Sequence, residues 1–300
     1  MNAGLIVIIL LLVLSILGIP IYLALGIGTL VALNMADMPF IVLPQKLFAG
    51  MNSSSLLAIP FFMLAGNIMS RSITGKLIDV SNALIGWIKG SLAVVTVLAS
   101  ALFGAISGSG VATASAVGGT TIPAMKEEGY PDHFAAAISG IAAILGPIIP
   151  PSITLIVYAS ITDLSVSKLF VGSVIPGILM AVGLIIYALF YGKKNDLPAH
   201  ERKSAKEVLL IFKDSIWALL MPVIILGGIF TPTESAAVAV VYALLVSLLI
   251  YKDIKIKDIP GIFVDGAIST ATILMLVGIS KSSGYVITTS GLPHQVLEVF

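Results

Sequence analysis

Long apolar runs, separated by short polar or proline- and glycine-bearing connections, organise this chain. A helix that crosses a bilayer needs about 20 mostly apolar residues. Runs of that kind fall at 3–17, 20–36, 55–70, 133–160, 168–192, 215–230, 233–250 and 261–280. They predict an all-α polytopic membrane protein. Met1–Leu17 lacks a basic n-region and a small-residue cleavage site, and apolar sequence continues past it, so it does not read as a signal peptide. A further apolar stretch, 91–124, carries glycines and hydroxyls at its middle and needs its own treatment.

Composition agrees with the pattern. Of the 300 residues, 58% are hydrophobic and 10% charged, with a mean hydropathy of +1.11. A soluble domain carries about 25% charged residues, so this chain cannot coat a water-facing surface and its solvent is largely lipid. A net charge of +1 argues against nucleic acid as a partner. Zero cysteines exclude disulfides, thiolate metal sites and Cys nucleophiles.

The placement of charge sets the topology. Thirteen of the sixteen basic residues fall in four connections: Arg71, Lys76 and Lys89; Lys126; Lys193, Lys194, Arg202, Lys203, Lys206 and Lys213; Lys252, Lys255 and Lys257. If 91–124 enters and leaves on one side, all thirteen share a face, with Lys46, Lys168 and Lys281 opposite. The positive-inside rule makes that face cytoplasmic. A single crossing by 91–124 would put Lys193 to Lys257 outside. The expectation is a re-entrant hairpin at 91–124, with loops 71–90, 125–132, 193–214 and 251–260 in the cytoplasm.

A weak internal repeat supports a transporter. Leu11 to Pro20 precedes an apolar run ending at Leu33, and Met221 to Pro232 precedes another ending at Ile250. Aligning Pro20 with Pro232 gives an offset of 212 residues. With the topology above, the two copies run in opposite directions, an arrangement found in secondary transporters. Chance recurrence of Gly, Ile and Pro in apolar sequence is the alternative. The same offset would place a second hairpin near residue 303, so the expectation is a truncated form of a protein of roughly 400 residues or more.

Two segments carry the chemistry. In 91–124, two helical halves flank Ser107-Gly-Ser-Gly110. Glycines permit a sharp reversal, and hydroxyls satisfy exposed backbone. Ser107, Ser109 and nearby carbonyls can coordinate a desolvated Na+ or hold a carboxylate. Close helix packing through Gly104-x-x-x-Gly108 is the competing reading. Residues 146–152 are Gly-Pro-Ile-Ile-Pro-Pro-Ser within an apolar crossing. Pro147, Pro150 and Pro151 lack N–H groups, which leaves the carbonyls of Ala143, Gly146 and Pro147 without helical donors. Broken helices with free carbonyls form ion sites in transporters; a kink satisfied by Ser152 or Thr154 is the alternative.

Other polar features read more simply. Thr231-Pro-Thr-Glu234 has the pattern of a capping box. Asn67 suits a helix–helix hydrogen bond, and the stretch from Lys76 to Lys89, with Trp87, suits a helix lying at the membrane interface. Lys126-Glu-Glu128 and 193–213 read as solvated loops. Enzyme chemistry finds no support: His133, His200 and His294 are isolated in sequence, no P-loop is present, and no intramembrane protease motif appears.

At these segments the sequence resembles the large membrane (M) subunit of the TRAP, or tripartite ATP-independent periplasmic, transporters. The resemblance rests on Leu56-Leu-Ala-Ile-Pro-Phe-Phe-Met-Leu-Ala-Gly-Asn67, Leu102-Phe-Gly-Ala-Ile-Ser-Gly-Ser109, Ile122-Pro-Ala-Met125, Gly146 to Ser152, Lys168-Leu-Phe170 and Thr231 to Glu234, and it covers essentially the whole chain. It implies a Na+-driven symporter in the bacterial inner membrane that imports an organic acid, such as a sialic acid or a C4-dicarboxylate. A periplasmic substrate-binding (P) protein would deliver the acid, and a small four-helix membrane (Q) subunit would brace the large one. The implied fold is an inverted-repeat elevator with a re-entrant hairpin and a broken helix; the second repeat, by the expected truncation, stops before its own hairpin.

Under that resemblance, residues 1–90 form first-repeat scaffold helices and 91–165 the hairpin and broken helix of the transport domain. Residues 166–214 form a scaffold helix and basic loop, and 215–300 the start of the second repeat. Sodium would be held by Ser107, Gly108, Ser109, Gly146, Pro147 and Pro150. Ser109, Gly110, Thr113, Pro151 and Ser152 would line the substrate cavity. No organic cofactor is implied. Many members carry an acidic residue where this chain has Thr113. The rival readings are an elevator-type carboxylate or ion transporter working without a binding protein, and a non-transporting membrane scaffold.

Overall fold

The computed structural model describes residues 2–226 and 230–298. Among them it contains helices and no strand. The helices are α1 (Ala3–Ile16), α2 (Ile21–Met35), α3 (Val42–Met51), α4 (Ala58–Ser72), α5 (Thr74–Ile85), α6 (Ser91–Ser107), α7 (Gly110–Thr113), α8 (Gly119–Glu127), α9 (Asp132–Ala143), α10 (Leu145–Ile148), α11 (Ile153–Thr162), α12 (Val166–Lys194), α13 (Ala205–Leu226), α14 (Pro232–Leu245), α15 (Ile259–Thr289) and α16 (Leu292–Leu297). Among the described residues, four helices are long and apolar enough to cross a membrane: 166–194, 205–225, 232–250 and 256–289. The number rises to six if each of two bent pairs counts as one span, 42–51 with 54–72 (66°) and 132–148 with 153–162 (43°). The chain is a multi-pass membrane protein.

Several boundaries differ from the sequence expectation. The runs at 3–17 and 20–36 become helices of 14 and 15 residues, about 21–23 Å long at 1.5 Å per residue. That is short of a hydrocarbon core about 30 Å thick. Gly18, at φ 81°, ends the first of them. The basic loop 193–214 is a loop only to Ser204. The Glu207 carboxylate accepts from the Ser204 N–H and hydroxyl at 2.7 and 2.8 Å, and α13 starts there. The run at 261–280 extends to a 31-residue helix. Residues 42–51 form a helix that the hydropathy pattern did not single out. Gly227 to Ile229, inside the second copy of the repeat and the 215–230 run, lie outside the described residues. The prolines aligned by that repeat both open helices: Pro20 caps α2 and Pro232 starts α14.

The chain divides into two compact units, residues 1–56 with 268–300, and residues 57–267. In the first, α1 and α2 pack with the later half of α15 around Val7, Ala32, Leu33 and Val286. Gly28 lets α2 close on α1, since a Cβ there would lie 3.3 Å from the Val7 carbonyl oxygen. Thr29 and Ser283 share a buried hydrogen bond of 2.7 Å.

In the second unit, α6 is the core. Fourteen of its seventeen residues are buried, as expected of a helix apolar on every side. Around it lie α4, α5, α9, α10, α12 and α13. The outer helix α12 has the opposite character: Val171, Ile175, Leu179 and Phe190 are all exposed. Large exposed aliphatic side chains along a helix of that length require an apolar solvent. At the end of α14, π-helical backbone continues over Val246–Ile250. Thr231 and Glu234 form the capping box read from the sequence, each side chain bonded to the other's backbone N–H, at 2.8 and 3.3 Å.

Candidate functional site

The stretch 91–124 is a helical hairpin. Its first arm, α6, ends at Gly108, which takes a left-handed φ of 62°. Ser109 is extended, and its hydroxyl accepts the Ala112 N–H at 3.3 Å, so it caps the second arm. That arm runs through α7, a π-helical turn at Ala114–Gly118 and α8. Leu92 and Ala93, at the start of the hairpin, share one core with Met125 and Tyr130, at its end. The chain thus returns to where it entered.

The crossing at 132–162 is broken as the three prolines require. α10 stops at Ile148, residues 149–152 are non-helical with a cis Pro150–Pro151 bond, and α11 starts afresh at Ile153. Ser152 does two things in this break. Its hydroxyl accepts the Leu155 N–H at 3.1 Å to cap α11, and donates to the Pro147 carbonyl. One of the carbonyls freed by proline therefore has a hydroxyl partner, the kink-type satisfaction weighed above. A carbonyl has a second lone pair, so this leaves Pro147 one site for another ligand.

The hairpin tip sits directly on the break. The Gly108 carbonyl accepts from the Ile153 N–H at 3.3 Å. A Cβ on Gly146 would lie 2.8 Å from both the Ser109 carbonyl oxygen and Thr113 Oγ1, and a Cβ on Gly104 would lie 2.8 Å from the Gly146 Cα. Gly110 faces the Ala143 carbonyl and the Pro147 ring, and Gly108 faces the Pro151 carbonyl. Glycines are needed where backbones approach this closely. The packing role of Gly104 and Gly108 and the meeting of tip with break are one arrangement.

Within the tip, oxygens are crowded. Ser107 is buried, and its Oγ has neighbours only at long range: Thr113 Oγ1 and the Ser109 N–H at 3.4 Å, and the Ser109 carbonyl at 3.5 Å. The Ser109 carbonyl itself accepts from the Thr113 hydroxyl at 2.8 Å and the Thr113 N–H at 3.0 Å. Thr113, Pro151 and Ser152 are buried, while Ser109, Gly110 and Pro147 are half-buried. The arrangement offers hydroxyl and carbonyl oxygens and no carboxylate, the donor type suited to a small monovalent cation rather than a transition metal. Among the described residues, no group of His, Asp and Glu could hold a metal ion.

The base of the hairpin carries the charged groups. Residues 193–204 form a strap across it. Leu197 enters the core, the Pro198 carbonyl accepts from the Gly90 N–H at 3.0 Å, and the His200 N–H donates to Gly86 at 3.0 Å. Lys89 pairs with Asp196, which holds that carboxyl below the usual range. Lys126 pairs with Asp132 at 3.2 Å. Gly90 and Gly192 let α6 and α12 cross nearly in contact, a Cβ on Gly90 falling 2.5 Å from the Gly192 Cα.

His200, isolated in sequence, is not isolated in space. Its Nε2 lies 2.9 Å from Glu128 Oε1 and its Nδ1 3.3 Å from Ser91 Oγ. This has the connectivity of a hydrolytic triad. Ser91 has no exposed surface, however, so its hydroxyl cannot meet a substrate, and the cluster acts as a latch. Burial holds the Glu128 carboxyl above the ordinary glutamate range, with the His200 charge and hydrogen bond opposing. Burial and the Glu128 charge push the Tyr130 phenol up to about 12. Segment 251–253 joins the same unit, through Tyr251 to the Asp214 carbonyl at 2.9 Å and Asp253 to Ser72 at 3.2 Å. Sequence spacing gave no signal for the strap, because its contacts link residues more than 70 positions apart.

Comparison with known proteins assigns the chain to a family. Residues 8–300 match the family described as the tripartite ATP-independent periplasmic transporter, DctM component. The chain belongs to that family. It is 40% identical over 284 residues to the putative TRAP transporter large permease protein of Haemophilus influenzae, covering 93% of this chain and 67% of that one. To the C4-dicarboxylate TRAP transporter large permease protein of Pseudomonas aeruginosa it is 41% identical over 256 residues, 84% of this chain and 60% of that one. The 2,3-diketo-L-gulonate TRAP transporter large permease protein of Escherichia coli is 36% identical over 290 residues, 94% and 68%. The chain spans about two thirds or less of the length of these relatives. They are transporter permeases, and this chain is a TRAP large permease subunit rather than an enzyme.

Proposed function

We propose that this chain is the membrane permease subunit of a Na+-coupled, binding-protein-dependent importer of an organic acid, working by an elevator motion in the bacterial inner membrane. A periplasmic binding protein supplies the acid and a small four-helix membrane subunit braces the permease. Loops 71–90, 125–132, 193–204 and 251–260 face the cytoplasm, as their basic residues direct. The observation that carries the reading is the seating of the hairpin tip on the broken helix, Gly108 against Ile153 and Gly146 against Ser109 and Thr113. It gathers on one spot the backbone and hydroxyl oxygens that a dehydrated Na+ requires.

Roles divide within that spot. The Ser107 hydroxyl, buried and loosely engaged, and the Gly146, Pro147 and Pro150 carbonyls are the Na+ ligands, with Gly108 and Ser109 setting the turn that brings them there. Gly110 and Ser109, on the less buried side, face the substrate; Pro151 and Ser152 are buried and shape the cavity wall, and Thr113 holds the Ser109 carbonyl in place. Relatives carry differing acids by name, a C4-dicarboxylate in one and 2,3-diketo-L-gulonate in another. The reading is therefore an organic acid rather than one member of that class.

The test is thermal stability of the purified protein with its small subunit, titrated with NaCl against KCl and choline chloride at constant ionic strength. Ligand that binds the folded state raises stability by mass action. A saturable rise specific to Na+ is expected. Identical curves in all three salts, repeated on a chain extended to the full length of its relatives, would sink the Na+ assignment.

A further inference from the structure

We propose that a groove at the charged end of the second unit is a binding site for one anionic phospholipid. The groove runs between α5, the strap and the first turns of α13, and has a volume of about 480 Å³. Leu84, Trp87, Arg202, Lys203, Leu209 and Phe212 line it. The two cations lie at the strap end of the groove, just before α13, which we take as its mouth. The Arg202 guanidinium lies over the Trp87 ring, 5.0 Å from the centroid. Leu209, which is 72% exposed, and Phe212 continue the wall down α13. The rise of 1.5 Å per residue carries Phe212 about 10–15 Å along from the mouth.

This order of side chains matches an amphiphile: cations first, then an indole, then aliphatic wall. Tryptophan settles at the headgroup level of a bilayer, and basic pockets beside transmembrane helices bind anionic headgroups. Charge favours an anion in particular. Segment 193–213 holds six basic and three acidic residues. Two of the three acids are engaged: Asp196 by Lys89, and Glu207 by the Ser204 N–H and hydroxyl. Glu201 is exposed and does not line the groove. A partner helix would fill the apolar wall but would leave Arg202 and Lys203 without an anion at the mouth. The site is remote from the hairpin tip and does not depend on the Na+ reading.

Native mass spectrometry of the full chain in mild detergent tests the site. Phosphatidylglycerol and phosphatidylcholine of matched chains are added in competition, with glycerol phosphate as a headgroup lacking chains. One phosphatidylglycerol is expected to be retained in preference to phosphatidylcholine. Each cation is worth about a fivefold preference, so the double variant Arg202→Gln, Lys203→Gln should lose roughly 25-fold, while Lys193→Gln, Lys194→Gln keeps it. Equal retention of the two lipids, or equal loss in both double variants, would overturn the proposal. So would displacement of the lipid by glycerol phosphate at equal concentration, which marks a phosphate site without chain recognition.

Discussion

Gly146, in the broken helix, lies so close to Ser109, at the hairpin tip, that a Cβ on the glycine would fall 2.8 Å from the serine carbonyl oxygen. The same Cβ would meet Thr113 Oγ1 at 2.8 Å. Neither neighbour is the free end of a flexible side chain, so an added methyl must move one backbone away from the other. Overpacking of this kind costs about 1–3 kcal/mol. Gly146→Ala should lower the melting temperature and shift the Na+ titration to higher concentration. Gly140→Ala, on the preceding helix and with nothing within 4 Å of its Cβ, should do neither. A Gly146→Ala protein matching wild type in both measurements would show that tip and break are not tightly seated.

Thr113 is placed to hold the tip rather than to reach a ligand. Its hydroxyl spans one helical turn to the Ser109 carbonyl at 2.8 Å, and it has no exposed surface. Thr113→Val keeps the shape and leaves that carbonyl with its backbone donor and the distant Ser107 hydroxyl. A loss of about 1 kcal/mol in stability is expected, with a weaker response to Na+, while Thr113→Ser restores both. Stability falling without any change in Na+ response would confine Thr113 to structure.

Ser152 and Ser107 separate packing from binding. Ser152 caps α11 and occupies the Pro147 carbonyl, so Ser152→Ala should cost about 1 kcal/mol in any salt. Ser107 makes only long contacts, so Ser107→Ala should change stability little in KCl and reduce the gain from NaCl. Equal gains from NaCl in wild type and Ser107→Ala would remove this hydroxyl from the ion site.

Much of this arrangement was legible in the sequence because it depends on residues with few conformational options. Three prolines within five residues cannot continue a helix, and the break falls at 149–152. Glycine and serine at 107–110 mark the reversal, and Thr231 with Glu234 marks a cap. Hydropathy could not show what depends on distant contacts. It placed the start of the long α13 ten residues late, because a serine–glutamate cap outweighs local polarity. It gave no hint that His200 meets Glu128 and Ser91, or that Leu197 in a basic loop enters the core. From the residues alone, tip and break read as two separate irregularities, and only the family resemblance set them side by side; how closely they touch follows from glycines whose role is close approach.

The Glu128–His200 latch makes stability depend on pH. Burial raises the Glu128 pKa above its ordinary value of 4.5. The folded state then binds the proton more tightly than the unfolded state. The stability this supplies is fully present below 4.5 and is lost as pH rises through the raised value. Melting temperature measured upward from about pH 4.5 should contain a declining component that Glu128→Gln removes. An unchanged profile in that variant would show that Glu128 titrates alike in both states.

Topology is testable without disturbing the site, because the chain has no cysteine and any introduced thiol reports alone. Lys203 lies in the strap that crosses the hairpin base, and Lys255 follows the segment tied to Ser72 and Asp214. The positive-inside assignment puts both on one face of the membrane. Lys203→Cys and Lys255→Cys should therefore label together, and only from the cytoplasm. A membrane-impermeant maleimide added to intact spheroplasts should leave both unmodified, and permeabilised cells should label fully. Labelling of both from outside would mean either that the assigned orientation is inverted or that 91–124 crosses the membrane, and the return of Tyr130 to Leu92 and Ala93 favours the first. Labelling of one from each side would mean that an odd number of crossings separates residue 203 from residue 255, against the two helices, α13 and α14, that lie between them.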